Sequence, residues 1–347
     1  MRPRILRCFR RARLALAVAL AAGAAAATLA PAASAGPSIV FDASDGTVLY
    51  AEDQDLLWAP ASVTKIMTAY LVFEAIKSGK LALDTRILYS EQAEAQVPSK
   101  LGLPVGAKLK VETALQVLIV KSANDVAVML AEAVSGSHEA FVAHMNATAA
   151  RLGMTRTTFA NANGLPAAVQ VTTARDLARL ATAVVRDYSE HAALWSMRSV
   201  KVGNSRMRSY NGLLGRYAGA DGLKTGFVCD SGFNLIGSAT RDGRRLIAVV
   251  LGAPTDGERT LHAANLLEHG FHRAEWAQIF PAPTLETLPM EFTPTAAMTI
   301  RQALPWWSCE MPAASAAETK AMQAAAAAQA TPAAGGAPTR GERWPPW

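Results

Sequence analysis

The sequence predicts an α+β fold in which one antiparallel sheet of five strands is built from both ends of the ordered chain, with a helical region inserted between them. Three observations carry this. The short apolar runs Ser38-Ile39-Val40-Phe41 and Thr47-Val48-Leu49-Tyr50 flank Asp42-Ala43-Ser44-Asp45-Gly46, a hairpin signal with its turn glycine. Helix-spaced apolar residues then dominate the middle of the chain. Strand patterns return at Gly222 to Cys229, Phe233 to Thr240 and Arg245 to Gly252, the last two joined by Arg241-Asp242-Gly243-Arg244. Asp-Gly between apolar runs is a hairpin cue. Strands at both ends with helices between them imply one sheet whose terminal segments meet, and a cleft between sheet and helical insert.

Ahead of the first strand, Arg2 to Arg13 is basic without acids, Leu14 to Leu29 is apolar and rich in alanine, and Ala33-Ser34-Ala35 is a small-x-small cleavage site. These predict a secretory signal cleaved near Ala35, with an apolar stretch short for a membrane-spanning helix. Arg10-Arg11 lacks the flanks of a twin-arginine signal, so general secretion into the periplasmic or cell-wall space is expected. The formal net charge of +6 changes meaning accordingly. Its excess positives are Arg2, Arg4, Arg7, Arg10, Arg11 and Arg13; the 34 basic residues less these six leave 28, against 28 acidic. A neutral mature chain carries no basic footprint for nucleic acid. Cys8 leaves with the signal, and Cys229 and Cys309 remain. Export permits a bridge between them, while two unpaired thiols is the plainer reading.

The first helix is announced at Pro60-Ala61-Ser62-Val63-Thr64-Lys65. Val63, Ile66, Met67, Tyr70, Leu71 and Phe73, with Gly79 past the end, predict a buried helix of about four turns. Leu81 to Lys110, punctuated by Gly102, Pro104 and Gly106, reads as loops and small elements. Ala114, Leu115, Leu118 and Ile119 predict a helix from Thr113 to Val120, resumed from Val126 to Val134 after a polar loop, Ser122-Ala123-Asn124-Asp125. Ser137 is the expected N-cap of a helix whose inward face is Phe141, Met145, Thr148 and Leu152 and whose end is Gly153. Thr173-x-x-Asp176 has capping-box spacing ahead of Leu177, Leu180, Ala181 and Val184. A closing helix is expected from Thr260 to Phe271. Pro281 to Trp307 offers a strand or two, and Pro312 to Pro338 is nearly all Ala, Pro, Gly and small polar residues, a disordered tail. The expected division is a signal over 1–35, a catalytic domain over 36–273, a short extension over 274–311 and an Ala/Pro-rich tail over 312–347.

Chemistry concentrates at the first helix. Residues three apart share a helix face, so Lys65 lies beside the Ser62 hydroxyl as a proton acceptor. The unpaired N–H groups at a helix start favour a developing alkoxide there. Alone the pair means little, because Ser-x-x-Lys arises by chance about once or twice in a chain of average composition and this length. Ser122-Ala123-Asn124 in the interhelical loop and Lys224-Thr225-Gly226 on the first late strand turn it into an ordered set. A rival second motif, Ser209-Tyr210-Asn211, falls just ahead of the Lys-Thr-Gly strand, where it feeds a turn at Asn211-Gly212.

In this order the three motifs resemble those of the penicillin-recognising serine enzymes. Within that superfamily the chain is similar to the low-molecular-mass D-alanyl-D-alanine carboxypeptidases, penicillin-binding proteins of the cell wall. The likeness runs from Ser38 to Arg273 and includes Leu-Gly-Met-x-x-Thr-x-Phe-x-Asn at Leu152 to Asn161, Asn163-Gly164-Leu165, and Asp221-Gly222-Leu223 before Lys224. It implies a β-lactamase/DD-peptidase-like fold, peptidoglycan stem peptides as substrates, β-lactam antibiotics as inhibitors, and neither metal nor cofactor. Ser62 is then the acyl-forming nucleophile, Lys65 its base, and Ser122 the relay toward the leaving amine. Asn124 holds Lys65 and the substrate amide, while Lys224 and Thr225 meet the terminal carboxylate. Gly226 and Phe227 line the substrate, with the N–H groups of Ser62 and Phe227 as the oxyanion hole. Arg259, at the start of the closing helix, is either a second carboxylate contact or a solvated surface arginine.

The chain departs from the family pattern in three places. Phe227 stands where a histidine is frequent and Ala123 where a glycine is frequent, which bears on substrate preference and not on the reaction. Many relatives continue into a β-rich second domain and a basic amphipathic anchor helix; the residues after Arg273 are too few and too Ala/Pro-rich for that, so no membrane anchor is expected. Among rival functions, a class A-like β-lactamase needs a carboxylate to activate the deacylating water, and Thr155 to Thr173 has none. A catalytically dead wall-binding protein is disfavoured by the presence of every motif side chain. His269-x-x-His272 lacks the surrounding ligands of a metal hydrolase and reads as a surface helix face. DD-endopeptidase action on crosslinks uses the same chemistry and stays open.

Overall fold

The computed structural model describes residues 36–277, 279, 282–291 and 293–309. The expected export signal and the expected tail from 312 onward lie outside the described residues. The early hairpin is β1 (Ser38–Asp42) and β2 (Val48–Glu52). A 3-10 turn, Ala61–Thr64, runs directly into α1 (Lys65–Lys77). Ser62 thus sits in the tight turn ahead of the α-helix, and Lys65 opens the helix itself. The helix is buried on nearly every side, the signature of a central core helix rather than an amphipathic surface one.

Between Leu81 and Lys110 the chain forms β3 (Arg86–Leu88), the one-turn helix α2 (Glu91–Glu94) and β4 (Lys108–Lys110), with β3 and β4 paired antiparallel. Helices α3 (Val111–Val120), α4 (Asn124–Ser135), α5 (His138–Arg151) and α6 (Ala174–Asp187) follow. The break between α3 and α4 is shorter than the expected four-residue loop: Asn124 and Asp125 already belong to α4. Ser137 caps α5 by accepting the Ala140 N–H at 3.1 Å, and Thr173 caps α6 by accepting that of Asp176 at 3.1 Å. The Asp176 carboxylate does not mirror the Thr173 cap; it accepts from Arg156 N at 2.9 Å and Thr157 Oγ1 at 2.8 Å. The short α7 (Ala192–Trp195) precedes a hairpin that the sequence pattern does not announce, β5 (Ser199–Val202) and β6 (Ser205–Arg208). Its strands are mostly Ser, Lys and Arg, too polar to show an apolar alternation.

Strands β7 (Ala220–Val228), β8 (Gly232–Arg241) and β9 (Arg244–Ala253) complete the main sheet in the order β2-β1-β9-β8-β7. Each neighbouring pair is antiparallel, and the ends of the chain meet where β1 pairs with β9, Ile39 opposite Val249. The β8–β9 turn places both Asp242 and Gly243 at positive φ, +49° and +79°, as the Asp-Gly cue requires. Alternation splits the sheet between two cores. Ile39, Phe41, Ile247 and Val249 face the helical insert, and Val40, Leu235, Ala248 and Val250 face α8 (Asp256–Ala277) through Ala263 and Leu267. Each such Leu or Ile contributes about 1.5–3 kcal/mol by burial. At 22 residues, α8 extends past both ends of the expected helix.

Beyond α8 the described chain follows the domain closely, where the sequence pattern suggests that order thins. Val48 N–H donates to Pro283 O at 2.8 Å, Met298 N–H to Leu57 O at 2.9 Å, and Ile300 N–H, in the short α9 (Ile300–Ala303), to Asp230 O at 2.9 Å. The expected strands are single bridges, Thr47 to Thr284 and Trp58 to Met298. Backbone bonds and separated buried side chains, Leu285, Ile300 and Trp307, fasten this segment, and with no regular apolar period hydropathy does not reveal it. A disulfide joins Cys229 to Cys309 across 80 residues of sequence, correcting the plainer reading of two free thiols. Replacing both cysteines by serine should lower the unfolding free energy by about 2–4 kcal/mol, because the crosslink restricts the unfolded chain. Urea unfolding with and without reductant measures this: the wild type should lose stability on reduction and the variant should not respond.

Candidate active site

Three segments distant in sequence converge at the start of α1. The first is anchored from the sheet: Asn234 on β8 donates through Nδ2 to Ala59 O and Pro60 O, each at 3.0 Å. Ala61 is held at φ +50°, which turns Ser62 outward. The strand carrying Lys224-Thr225-Gly226 is β7, at the edge of the sheet, and it packs against this turn. Gly226 is what lets it approach, since a Cβ there would lie 2.9 Å from Ser62 N. On the opposite side Gly164 is required for the same reason, a Cβ falling 1.9 Å from Ala61 O.

Lys65 is 1% exposed, and its Nζ lies 2.8 Å from Ser62 Oγ, 2.8 Å from Asn124 Oδ1 and 2.5 Å from Asn163 O. Two of these partners only accept hydrogen bonds. A neutral amine has two N–H donors and one lone pair. Spending the donors on Asn124 Oδ1 and Asn163 O leaves the lone pair for the Ser62 O–H. Burial, then the charge of Lys224, pushes Lys65 well below the ordinary lysine value of 10.5, with Asp125 pulling the other way. The amine is thereby available as a base.

Asn124 is oriented by its surroundings, because its Nδ2 donates to Val97 O at 2.9 Å and its N–H to Ser99 O at 2.7 Å. Only Oδ1 is left for Lys65. The adjacent Asp125 carboxylate accepts Leu101 N–H at 2.8 Å, Gly102 N–H at 2.9 Å and the Tyr89 hydroxyl at 2.8 Å, which pins the 97–102 loop as one wall of the cleft. Ser122, at φ +61°, accepts from Lys224 Nζ at 2.9 Å. Lys224 also donates to Thr225 O at 2.9 Å, and burial followed by the Arg259 charge pushes it down to about 7. An anion bound beside it would restore its full charge.

Arg259 is not a solvated surface arginine. It is 2% exposed, donates to Tyr210 O at 3.0 Å and to the Asp256 carboxylate, and lies 5.7 Å from the centre of the Phe233 ring. Its buried Nε has no hydrogen-bond partner among the described residues. Phe227 packs on Phe233 with ring centres 4.3 Å apart. The Ser209-Tyr210-Asn211 rival does serve a turn: Asn211 accepts the Leu213 N–H at 3.1 Å and its Nδ2 donates to Gly222 O at 2.9 Å.

Together these groups bound a cleft of about 460 Å³, with Ser62, Ser122, Asn124, Thr225, Phe227 and Arg259 among its lining residues. Lys224 and Arg259 supply positive charge at one end and the phenylalanine pair an apolar wall. That combination fits acyl transfer to Ser62 from a donor ending in a carboxylate. Among the described lining residues the carboxylate is Asp256, already committed to Arg259. No group of three His, Cys, Asp or Glu gathers as a metal site among the described residues. His269 packs edge-on against Tyr50, and His272 lies 3.7 Å from Glu268. The sequence motifs do not include Asn163, whose contribution is a backbone carbonyl and leaves no trace in residue type; the Asn163-Gly164-Leu165 likeness is the nearest signal.

A family model described as D-alanyl-D-alanine carboxypeptidase matches residues 24–255. D-alanyl-D-alanine carboxypeptidase DacC of Escherichia coli strain K12 is 37% identical over 249 residues, 70% of this chain and 62% of that protein. The chain therefore spans less than two thirds of that relative's length. Penicillin-binding protein 5 from Haemophilus influenzae superposes with a TM-score of 0.67 at 34% identity, covering 70% of this chain and 72% of that one. Penicillin-binding protein D2 from Listeria monocytogenes, in its cefotaxime-bound form, superposes with a TM-score of 0.63 at 33% identity, covering 69% of this chain and 97% of that one.

Proposed function

The chain belongs to the D-alanyl-D-alanine carboxypeptidase family, and from that premise we propose that the protein, exported to the periplasmic or cell-wall space, removes the terminal D-alanine of peptidoglycan stem pentapeptides through an acyl-Ser62 intermediate. The observation that carries this is the Lys65 amine, held by Asn124 Oδ1 and Asn163 O with Ser62 Oγ at 2.8 Å. In the reaction Ser62 Oγ attacks the carbonyl carbon of the penultimate D-alanine as its proton passes to Lys65. Oxyanion charge is met by the Ser62 and Phe227 N–H groups. The C–N bond breaks as Ser122, polarised by Lys224, passes its proton to the leaving amine and takes in return the one that Lys65 received from Ser62, so Lys65 is neutral again. Lys224, Thr225 and Arg259 hold the terminal carboxylate meanwhile. Water, deprotonated by Lys65, then attacks the ester, and Lys65 returns that proton to Ser62 Oγ as the ester C–O bond breaks and the shortened peptide leaves.

A β-lactam presents the same carbonyl and carboxylate in a ring, so it would acylate Ser62 as well. With the cleft carboxylate Asp256 paired to Arg259, nothing among the described lining residues offers a second base for rapid release of that adduct. Incubation with a labelled penicillin and peptide mapping by mass spectrometry should place one adduct on Ser62; label elsewhere, or none, would sink the assignment. Release of D-alanine from a diacyl-D-Ala-D-Ala peptide, set against cleavage of crosslinked dimers, distinguishes carboxypeptidase from endopeptidase. Fast penicillin turnover would revive the β-lactamase reading.

A further inference from the structure

The Asn163 carbonyl that aims the Lys65 lone pair must itself be held, and the structure shows by what. Its segment, 161–164, crosses beneath α1 with Ala162 fully buried. Thr68 on α1 donates to Ala162 O at 2.6 Å. The Asn163 side chain donates to Gln96 Oε1 at 2.8 Å. On either side, the Asn161 N–H donates to Gln170 Oε1 at 3.2 Å and the Gly164 N–H to Asn161 Oδ1 at 2.7 Å, while the buried Ala162 N–H between them donates to His138 Nε2 at 3.1 Å. A backbone N–H can only donate, so this bond exists only when Nε2 is unprotonated and the ring is neutral.

His138 opens α5, directly after the Ser137 cap. Burial, together with this position at the positive end of a helix, disfavours the imidazolium and lowers His138 below its ordinary 6.5; the adjacent Glu139 opposes that shift. The segment it binds, Thr157 to Thr173, contains no charged side chain. On α1 the charge nearest this segment is Lys65 itself, bonded to Asn163 O.

We propose that neutral His138 is a positioning residue of the acylation machinery, holding the Ala162 N–H so that the Asn163 carbonyl stays on Lys65, and that protonating the ring switches acylation off. An imidazolium at 138 turns N–H against N–H in a buried site. The 161–164 segment must then shift, and Lys65 loses one of the two acceptors that aim its lone pair at Ser62. The role rests on Ser62 and Lys65 acting as proposed above. His138 touches neither substrate nor Ser62.

The test is the pH dependence of Ser62 labelling by a fluorescent penicillin in the wild type, His138→Gln and His138→Phe. Glutamine presents an Oε1 acceptor close to where Nε2 stands but does not titrate. At the acid end of the profile the wild-type rate should fall with two protons, those of His138 and Lys65, and His138→Gln with one. Near neutral pH His138→Gln should label within about threefold of wild type. His138→Phe, without an acceptor, should label about tenfold or more slowly at every pH, since a small misplacement of catalytic groups has an effect of that order. Superimposed wild-type and His138→Gln profiles with Ser62 labelled would overturn the His138 role alone. No Ser62 label in the wild type would overturn both readings. Because His138→Phe could simply unfold, its thermal melt is compared with that of His138→Gln, and the glutamine profile decides.

Discussion

Lys65→Ala should abolish penicillin labelling of Ser62, lowering the acylation rate by at least about 10³-fold, within the range that a general base contributes. Among the described residues no other side-chain base is bonded to Ser62 Oγ. Ser62 Oγ bonds the Lys65 amine at 2.8 Å, and the cleft carboxylate Asp256 is engaged by Arg259. Because in the proposed mechanism one amine takes the proton both from Ser62 and from water, the loss should appear as absent adduct and not as a long-lived one. Lysine burial should set one part of the wild-type pH dependence, beside that of His138. A base whose value is lowered stays neutral further into acid, so acylation persists below the ordinary 10.5 of lysine and falls once Lys65 takes up a proton. Stopped-flow labelling of wild type and variant measures both effects. Retention of even a hundredth of wild-type labelling in Lys65→Ala would exclude Lys65 as the principal base.

Arg175→Ala should have the largest effect on stability, about 3–5 kcal/mol, the usual consequence of stranding a buried charge. Arg175 and Asp55 are 3% and 1% exposed, and they meet in two parallel bonds, Nε to Oδ1 at 2.6 Å and Nη2 to Oδ2 at 2.7 Å. The same guanidinium donates to Leu288 O at 2.8 Å and Pro289 O at 2.8 Å, so it also fastens the segment after α8 to α6. Burial pushes the Asp55 carboxyl up, but the bonds from Arg175 and the Glu291 N–H outweigh it and hold it below its ordinary 3.8. A lowered carboxylate stabilises the fold above that value and ceases to do so as pH falls through its folded one. Denaturant unfolding should show Arg175→Ala well below wild type. Arg175→Met combined with Asp55→Asn should lose less than the single change, because no charge is left unpaired. A single variant within about 1 kcal/mol of wild type would refute the anchoring role.

What was legible in the sequence was local. Apolar spacing and the Ser137 and Thr173 caps mark α5 and α6 because a helix is specified within a few residues of itself. Asp242-Gly243 marks the β8–β9 turn for the same reason. The polar hairpin β5–β6 escapes this reading, as do the described residues after α8, whose fastenings are backbone bonds, Arg175, a disulfide and the isolated buried side chains Leu285, Ile300 and Trp307. Arg259 shows the limit at the site itself: its residue type suits a surface or a buried carboxylate contact equally, and only its burial against Phe233 and Tyr210 decides between them.

The sequence by itself determined which side chains meet at the cleft and are proposed to carry the chemistry: Ser62 with Lys65, Ser122 with Asn124, and Lys224 with Thr225, together with the strand-helix-strand order that folds them there. Tertiary structure alone decided how Lys65 is aimed. Its acceptors are an amide oxygen from α4 and a backbone carbonyl from the 161–164 segment, the latter held in turn by a histidine from α5. A carbonyl belongs to every residue and so has no signature in the sequence, and its direction is set by contacts between segments that only the folded chain brings together.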